Sequence, residues 1–175
     1  MAGPLKTPMQ RKSRVATAIL LLASWLSLLT ACLEDDNYPR SISLEQAAQR
    51  SAFPLLVLDE SVARQMQLVL TDVTDYQHLI PPDQSGQVFG MVYCKEGKVR
   101  LRIYQSSLAN DPRIPSKGSL VQVGDRDGFF QGKSLLRRKA KLWWQENERV
   151  ILMSGPLNLE TIIDLAERLV VVPKD

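Results

Sequence analysis

Apolar and polar residues alternate in short runs along most of the chain after residue 54, a period that is typical of half-buried strands. Seven runs are predicted to be strands: residues 55–58, 67–73, 88–95, 99–105, 120–123, 140–145 and 150–154. Loops marked by Pro and Gly, such as HLIPPDQSG and LANDPRIPSKG, separate some of these runs. The pattern therefore favours a meander of antiparallel strands.

The segment VFGMVYCKEGKVRLRIYQ is predicted to be a β-hairpin that turns at Glu96 and Gly97. Such a turn pairs Cys94 with Val99 and, by the two-residue alternation of a strand, directs both into the core. The same register places the pairs Val92–Leu101 and Gly90–Ile103 on the core face, and the pairs Tyr93–Arg100, Met91–Arg102 and Phe89–Tyr104 on a solvated or half-covered face. We therefore expect Cys94 to be buried.

A second hairpin, KAKLWWQENERVILMSG, is predicted to turn near Asn147, because asparagine tolerates left-handed backbone geometry. Two registers remain open for this hairpin. Both of them leave Leu142 facing either Ile151 or Met153.

Two helices are predicted at the ends of this run of strands. Ser43 can cap the first helix, with Gln46 at the capping-box position, and this helix should end near Ser51. Asn158 can cap the second helix, whose apolar residues recur at helical spacing: Leu159, Ile162, Ile163, Ala166 and Leu169. Because this apolar stripe needs a sheet to cover, we predict one α+β domain over residues 43–175, a curved antiparallel sheet with a short N-terminal helix and an amphipathic C-terminal helix packed on one face.

The first 31 residues have a different character. Four basic residues and no acidic one precede an uncharged run, residues 15–29, which is short for a transmembrane helix of about 20 apolar residues. A basic start, a short apolar stretch and small residues at its end indicate a secretory signal peptide. The alternatives are an uncleaved anchor and an ordinary signal peptide that is followed by a chance cysteine.

The end of this run, Leu29-Thr30-Ala31-Cys32, resembles a bacterial lipobox. The resemblance implies that residues 1–31 are a lipoprotein signal peptide and that Cys32 is diacylated on sulfur. The following residues, LEDDNYPRS, are polar and acidic, so residues 32–42 are predicted to be the lipidated cysteine and a polar tether. Each buried acyl CH₂ contributes about 0.8 kcal/mol, so two or more chains hold a protein stably on membrane lipid. We expect an extracytoplasmic, lipid-anchored protein, on the outer membrane if the cell has two membranes, because Leu33 and not Asp follows the cysteine.

Cleavage of the signal peptide changes the charge of the protein. The chain has 22 basic and 19 acidic side chains, and four of the basic ones lie in the first 32 residues. Subtracting these four from 22 leaves 18 basic against 19 acidic side chains, a net charge of −1. Nucleic-acid-binding domains usually carry a strong basic excess, so we expect no nucleic-acid partner.

The segment LLRRKAKLWW is a candidate surface contact. Its charged and aromatic members are Arg137, Arg138, Lys139, Lys141, Trp143 and Trp144. A basic residue near anionic head groups contributes about 1 kcal/mol to membrane binding. The alternative, which the alternation favours, is a strand with Leu142 and Trp144 inward and the lysines solvated. Trp143 and Trp144 point to opposite sides of a strand, so one of them could be exposed and contact a partner.

Catalytic and metal chemistry has little support in the sequence. The lone histidine, His78, and Cys94 suggest thiol catalysis, but a nucleophilic cysteine needs a nearby base and an exposed, electropositive setting. The segment GDRDG, residues 124–128, lacks the further ligands of a calcium loop and is predicted to be a tight hairpin turn. We therefore expect no enzymatic activity, no metal site and no cofactor.

Several segments resemble an uncharacterised bacterial extracytoplasmic domain that is often appended to membrane-anchored, anti-sigma-associated or sporulation lipoproteins. They are RSAFPLLVL, VYCKEGKVRLRIYQSS, VQVGDRDGFFQG and KLWWQENERVILMSGPLNLETIIDLAERL. The likeness covers most of residues 43–172 and departs at Leu58-Asp59-Glu60, where that family has further prolines. The family carries no agreed catalytic residue. A more distant similarity is to lipoprotein-carrier and periplasmic sensor domains, whose curved sheets clasp apolar ligands.

These features predict a membrane-anchored, non-catalytic lipoprotein that binds an envelope protein or another envelope component. The alternative is a carrier or sensor that holds an apolar ligand between the sheet and the C-terminal helix. An envelope enzyme is the least favoured hypothesis. A deep apolar cavity beside that helix would favour the carrier. A filled core with an exposed aromatic patch would favour the interaction module.

The mature protein is predicted to begin at Cys32. Mass spectrometry of the protein purified from its own membranes should give the mass of residues 32–175 plus that of two or more acyl chains. An intact, unmodified amino-terminal segment would contradict the lipoprotein interpretation.

Overall fold

The computed structural model describes residues 40–77, 80, 84–108, 111–132 and 139–174. The chain divides into two units, Met1–Asn37 and Tyr38–Asp175. The predicted signal peptide, Cys32 and the tether up to residue 39 lie outside the described residues, as do His78, Arg137 and Arg138. The second unit contains the predicted globular domain.

This second unit is an α+β domain made mainly of antiparallel strands. Its strands are β1 (Arg40–Ser41), β2 (Leu56–Leu58), β3 (Val69–Asp75), β4 (Val88–Lys95), β5 (Lys98–Ser106), β6 (Ser119–Val123), β7 (Arg126–Gln131), β8 (Ala140–Glu146), β9 (Arg149–Gly155) and β10 (Leu169–Val171). Its helices are α1 (Leu44–Arg50), α2 (Glu60–Gln65) and α3 (Leu159–Glu167). Eight strands form one sheet in the order β1-β3-β4-β5-β9-β8-β7-β6, whereas β2 and β10 form a separate pair.

Local hydrogen bonds explain where the helices begin. The Ser43 side chain accepts a hydrogen bond from the Gln46 N–H, and the Gln46 side chain accepts one from the Ser43 N–H, both at 3.1 Å. The Asn158 side chain accepts one from the Thr161 N–H at 2.8 Å and caps α3. Such caps satisfy backbone donors that have no partner within the helix.

Helix α2 was not predicted. It begins after Asp59, whose carboxylate accepts hydrogen bonds from the N–H groups of Ser61 and Val62. The helix has only six residues and buries only Val62, so it gives no helical period in the sequence. The chain therefore turns from strand β2 into a helix at the point where the resemblance departs, Leu58-Asp59-Glu60.

Helix α3 ends two residues before the end of its predicted apolar stripe. It ends at Glu167, and Leu169 lies in β10, opposite Leu58 of β2. The next residues, Val170 and Val171, are β-branched and suit a strand. Leu169 is therefore part of a strand that pairs with β2, although its spacing fits the apolar stripe of the helix.

The hairpin of β4 and β5 turns at Glu96 and Gly97, as predicted, and both residues have positive φ, 52° and 69°. Cys94 pairs with Val99, also as predicted. Beyond this pair the register shifts by one residue at a β-bulge, in which Arg100 is the extra residue. A shift of one residue moves every side chain of a strand to the opposite face.

The predicted faces of β4 are therefore wrong. Phe89, Met91 and Tyr93 are buried in the core. The observed pairs are Tyr93–Leu101, Val92–Arg102, Met91–Ile103, Gly90–Tyr104 and Phe89–Gln105. The expectation that Cys94 points into the core is also wrong, because its thiol is only half-buried and accepts a hydrogen bond from the Thr71 hydroxyl at 3.3 Å.

The other two turns agree with prediction. Asn147, with a φ of 55°, forms the turn between β8 and β9, and Leu142 faces Met153, one of the two partners left open. The segment GDRDG forms the turn between β6 and β7, where Gly124 has a φ of 61° and Val123 pairs with Arg126. Both turns lie at the same end of the large sheet, because the start of β7 lies beside the end of β8.

One face of the large sheet packs against the helices and against the β2–β10 pair. Its fully buried side chains include Met91, Leu101, Ile103, Leu142, Trp144, Ile151 and Met153, and the opposing layer contributes Ala47, Leu55, Ile162 and Leu165. The apolar stripe of α3 thus reaches a filled core. Burial of one such large apolar side chain contributes about 1.5–3 kcal/mol.

The buried side chain of Gln105 joins the two sheets. Its Oε1 accepts from the Leu56 N–H at 2.8 Å, and its Nε2 donates to the Leu56 carbonyl at 2.7 Å. The Tyr93 hydroxyl similarly accepts from the Leu58 N–H at 3.1 Å. Since β10 pairs with the other edge of β2, these side chains satisfy backbone groups that would otherwise be unpaired inside the protein.

Replacement of Gln105 by leucine should destabilise the domain by about 2–4 kcal/mol, because two buried backbone groups of Leu56 lose their partners. The same substitution at exposed Gln145 on β8 is the control and should change the free energy of unfolding by about 0.5 kcal/mol or less. Chemical denaturation followed by circular dichroism measures both variants. Equal effects of the two substitutions would contradict the structural role of Gln105.

Candidate functional site

A cleft of about 550 Å³ lies at one end of the large sheet. Its lining residues are Ala52, Phe53, Pro54, Ser107, Asn147, Glu148 and Arg149. They come from three segments: the loop of residues 51–54 after α1, the end of β5, and the turn between β8 and β9. We call this the Arg149 cleft. Its volume lies within the range of small-molecule sites, about 300–1,000 Å³.

Side-chain hydrogen bonds hold the loop wall of the Arg149 cleft. The Gln87 side chain makes two of these bonds. Its Oε1 accepts from the Ala52 N–H at 2.6 Å, and its Nε2 donates to the Arg50 carbonyl at 3.1 Å. The Ser51 hydroxyl donates to the Phe53 carbonyl at 2.6 Å, and the Lys174 ammonium donates to the Ser51 carbonyl at 2.7 Å. The loop is therefore fixed to the sheet and to the end of the chain.

Arg149 also lines the cleft and is the first residue of β9. It lies on the same face of the strand as Ile151 and Met153, by strand alternation. Arg149 is only 4% exposed, and its guanidinium carbon lies 5.5 Å from the centroid of the Phe53 ring. A cation is thus placed at a position in the sheet that normally holds an apolar side chain.

The hydrogen bonding of this guanidinium is incomplete. Its Nη2 lies 3.5 Å from the Glu146 Oε1, at the outer limit of a hydrogen bond. Its Nε and Nη1 are buried and have no hydrogen-bond partner within the described part of the protein. Burial lowers the pKa of Arg149 below its ordinary value, and the charge of Glu146 partly offsets this effect. A buried donor without an acceptor costs about 1–3 kcal/mol.

Glu146 is shared between two cations. Its Oε2 pairs closely with the Arg126 Nη1 and also accepts a hydrogen bond from the Trp144 indole at 3.4 Å. One carboxylate therefore faces the guanidinium groups of both Arg126 and Arg149. Asp125 also pairs with Arg126, with 3.6 Å between the carboxylate and Nε, so the two guanidinium groups of this cluster face two carboxylates and their charges balance.

Such an arrangement can bind an anionic or polar group, because two guanidinium nitrogens have no acceptor within the described residues. Within the described ranges, no three His, Cys, Asp or Glu side chains come together to hold a metal ion. His78 lies outside these ranges, so its relation to Cys94 is not described.

The predicted contact segment does not form an exposed aromatic patch. Trp144 is 1% exposed and lies inward with Leu142, as the alternation favours. The expectation that one tryptophan could be exposed is wrong, because Trp143 on the other face is only 6% exposed. It stacks on Phe129 at 5.8 Å between ring centroids, and a Cβ atom at Gly118 would lie 2.4 Å from its ring.

The lysines of that segment have separate environments. Lys139 is exposed, and partial burial together with the charge of Arg102 lowers its pKa. The half-buried Lys141 donates to the Arg113 carbonyl at 3.4 Å. Arg137 and Arg138 lie outside the described residues, so a basic surface at this segment stays a prediction.

Sequence reasoning missed Arg149 although a signal for it was present. Arg149, Ile151 and Met153 alternate with Val150 and Leu152, so a charged residue occupies the core-facing phase of a strand. The register of this hairpin was left open, and the face of Arg149 could not be assigned without it.

Comparison with known proteins gives no assignment. No family model, no curated protein and no solved structure matches this chain. Separately, none of the helices in the described residues is long and apolar enough to cross a membrane. The resemblance to an extracytoplasmic lipoprotein domain therefore stays a prediction, and the candidate site depends on geometry alone.

Replacement of Arg149 by methionine should leave the melting temperature unchanged or raise it, because methionine fills a similar volume without unpaired donors. Replacement of Arg126 by methionine should lower stability by about 1 kcal/mol or less, since Glu146 loses its closest partner on a partly exposed surface. Thermal unfolding of both variants tests this contrast. A clear loss of stability in the Arg149 variant would show that Arg149 is a structural residue.

Proposed function

We propose that this chain is a lipid-anchored, extracytoplasmic and non-catalytic binding module whose ligand occupies the Arg149 cleft. In this proposal Cys32 holds the domain on membrane lipid, and the cleft contacts an envelope component. The sheet curves around its helical layer, with α1 near the start of the domain and amphipathic α3 on the same face. The composition of the mature chain gives no support for a nucleic-acid partner, since the basic excess lies in the predicted signal peptide.

The observation that carries this proposal is the position of the cleft relative to the start of the domain. Arg40 of β1 lies opposite Asp75, at the end of β3. In the register of the sheet, Asp75 pairs with Phe89, Phe89 with Gln105, and Gln105 with Ile151. Ile151 lies only two residues after Arg149 on β9. The chain thus enters the domain at the same end of the sheet that carries the cleft.

The tether limits how far this end can be from the membrane. Eight peptide units separate Cys32 from Arg40, and a chain of that length spans at most about 29 Å. The cleft lies four strands across the sheet from β1, about 19 Å at the usual spacing of strands. In the proposed arrangement these two lengths together set an upper limit on the distance between the lipid anchor and the cleft.

A second cleft supports the carrier hypothesis in an altered form. It has a volume of about 380 Å³ and is lined mainly by apolar residues: Leu44, Val57, Leu58, Ala63, Leu68, Val69, Leu70 and Tyr93, with Glu60 and Arg64 also present. We call this the α2 cleft. Because the core beside α3 is filled, a carrier would hold its apolar ligand beside α2 and not beside α3.

Native mass spectrometry of the lipidated protein, extracted from its own membranes in mild detergent, tests the two sites. The variant Ala52→Trp fills the Arg149 cleft, and Ala63→Trp fills the α2 cleft. We expect the wild type to retain a bound ligand, Ala52→Trp to lose it and Ala63→Trp to keep it.

The opposite pattern, with the ligand lost only from the Ala63→Trp variant, would favour the apolar carrier. A wild-type protein that carries no ligand beyond its acyl chains would contradict the binding module. Both variants are checked for an unchanged melting temperature, because a misfolded domain would lose ligand from either site.

A further inference from the structure

Basic side chains cluster on the face of the large sheet that lies away from the helices. Strand alternation places Arg102, Lys139 and Lys141 on this outer face, because the residue that follows each of them is buried. Arg102 and Lys141 pair with Ser154 from its two sides, so their strands lie about 10 Å apart. Cations are therefore held side by side on one face of the sheet.

Lys117 joins this group from the loop that precedes β6. Its carbonyl accepts a hydrogen bond from Gln131 at 3.3 Å, and Gln131 is the partner of Lys141 on the neighbouring strand. Lys139 is close to Arg102, since partial burial and the positive charge of Arg102 lower the pKa of Lys139. We call Arg102, Lys117, Lys139 and Lys141 the outer basic group. None of the four takes part in the ion pairs formed between described residues.

The charges of the outer face do not cancel when the other described side chains on it are counted. Arg113 pairs with Asp111 at 2.7 Å and adds no net charge. Two further acidic side chains, Asp72 and Asp127, lie on this face. Asp72 accepts hydrogen bonds from two hydroxyl groups, and Asp127 accepts one from an amide. Five basic side chains therefore stand against three acidic ones, a net charge of +2.

The turn residues leave this excess in place. In the β4–β5 turn one acidic residue lies between two lysines, Lys95 and Lys98, so this turn adds no negative charge. The acidic turn residues Asp125 and Glu148 lie at the opposite end of the sheet from Lys139. The seven residues of β8 separate them from Lys139 along the strand direction by about 23 Å.

Exposed apolar side chains lie beside the outer basic group. Leu120 is 64% exposed and Phe129 is 42% exposed, and the two residues pair across β6 and β7. Phe129 also stacks on its partner Trp143, which is two residues from Lys141 on the same face of β8. Basic residues beside exposed apolar ones suit a surface that lies on a membrane, where the charges contact anionic head groups and the apolar groups enter the interface.

The connection to the lipid anchor also favours this face. Strand β1 is part of the large sheet, so a chain anchored at Cys32 joins the domain at its sheet layer and not at its helices. Eight peptide units, at most about 29 Å, separate Cys32 from Arg40. The tether itself contains three acidic residues, so attraction to an anionic surface has to come from the domain: Glu34, Asp35 and Asp36.

We propose that the outer face of the large sheet docks on an anionic lipid surface. The outer basic group then faces the head groups, and Leu120 and Phe129 enter the interface. Each basic residue near such a surface strengthens binding by roughly a factor of five. This inference rests on the lipid anchor of the proposed function and is independent of the ligand in the Arg149 cleft.

The test measures which side of the lipidated protein lies nearer to the membrane. Two labelled forms carry a fluorescent donor, one at Ser116→Cys beside Lys117 and one at Glu160→Cys on α3, which packs on the other face of the sheet. Both contain Cys94→Ser, so that each has a single free thiol for the label. Nanodiscs of phosphatidylcholine, with or without phosphatidylglycerol, carry an acceptor dye on their head groups, and the efficiency of energy transfer reports the distance.

With phosphatidylglycerol present, energy transfer should be more efficient from position 116 than from position 160. The difference should fall in nanodiscs of phosphatidylcholine alone, because their surface has no net charge. It should also fall in about 1 M salt, which screens charges that are more than about 3 Å apart.

The double variant Lys139→Gln/Lys141→Gln should lower the ratio of docked to undocked domain about twentyfold to thirtyfold, since two basic residues are removed. The matched control Arg64→Gln/Arg168→Gln removes two exposed arginines of the helical side, each paired with an acidic residue one turn away. This control should dock like the wild type. Melting temperatures verify that both double variants are folded.

Three results would overturn the proposal. The first is equal energy transfer from the two labelled positions, or a preference for position 116 that does not need phosphatidylglycerol. The second is an equal loss of docking in the two double variants, because docking would then depend on net charge alone. The third is a dimer in neutral detergent that Leu120→Asp dissociates, which would assign this face to a second copy of the chain.

The anchor and the docking surface fail in different ways. Mass spectrometry that finds no acyl chains on Cys32 would overturn the anchor, and with it the docking that depends on it. A lipidated protein that shows no preferred side toward phosphatidylglycerol would overturn the docking surface alone and leave the anchor in place.

Discussion

The fold depends on how the unpaired edge of β2 is satisfied inside the protein. Strand β10 pairs with one edge of β2, and the other edge faces the buried side of the large sheet. Gln105 supplies both a donor and an acceptor to Leu56, and Tyr93 supplies an acceptor to Leu58. These two polar side chains satisfy three backbone groups of β2 at the point where a two-stranded sheet lies against the face of an eight-stranded one. The apolar core then closes on both sides of this contact.

Arg149 is a second polar residue on the buried face of the sheet, and its hydrogen bonding differs from that of Gln105. Gln105 has partners for both ends of its amide, whereas Arg149 has none for two of its guanidinium nitrogens. A buried group with full hydrogen bonding contributes to structure, and one with unpaired donors carries a cost. Departures of this kind from full hydrogen bonding are expected at functional sites. This contrast is why we assign Gln105 to the fold and Arg149 to the binding site.

Sequence patterns predicted the turns of this protein better than its registers. The turns at Gly97, Gly124 and Asn147 could be located because their local chemistry permits positive φ. The buried face of β4 could not be predicted, because the extra residue Arg100 reverses it and no local sequence signal marks this bulge. Helix α2 and strand β10 are short elements that depend on tertiary contacts. The cleft unites three distant segments of the chain, so no local pattern could have shown it.

The central claim is that the buried and incompletely hydrogen-bonded guanidinium of Arg149 serves a ligand of the cleft and not the fold. Nitrogen-15 NMR of the arginine Nε–H groups, recorded on the protein extracted from its own membranes and again after its bound ligand has been removed and added back, tests this most directly. The account predicts that the Arg149 Nε–H signal shifts downfield and exchanges more slowly with water when the ligand is added, while the Arg168 signal does not change. An unchanged Arg149 signal at saturating ligand would contradict the claim.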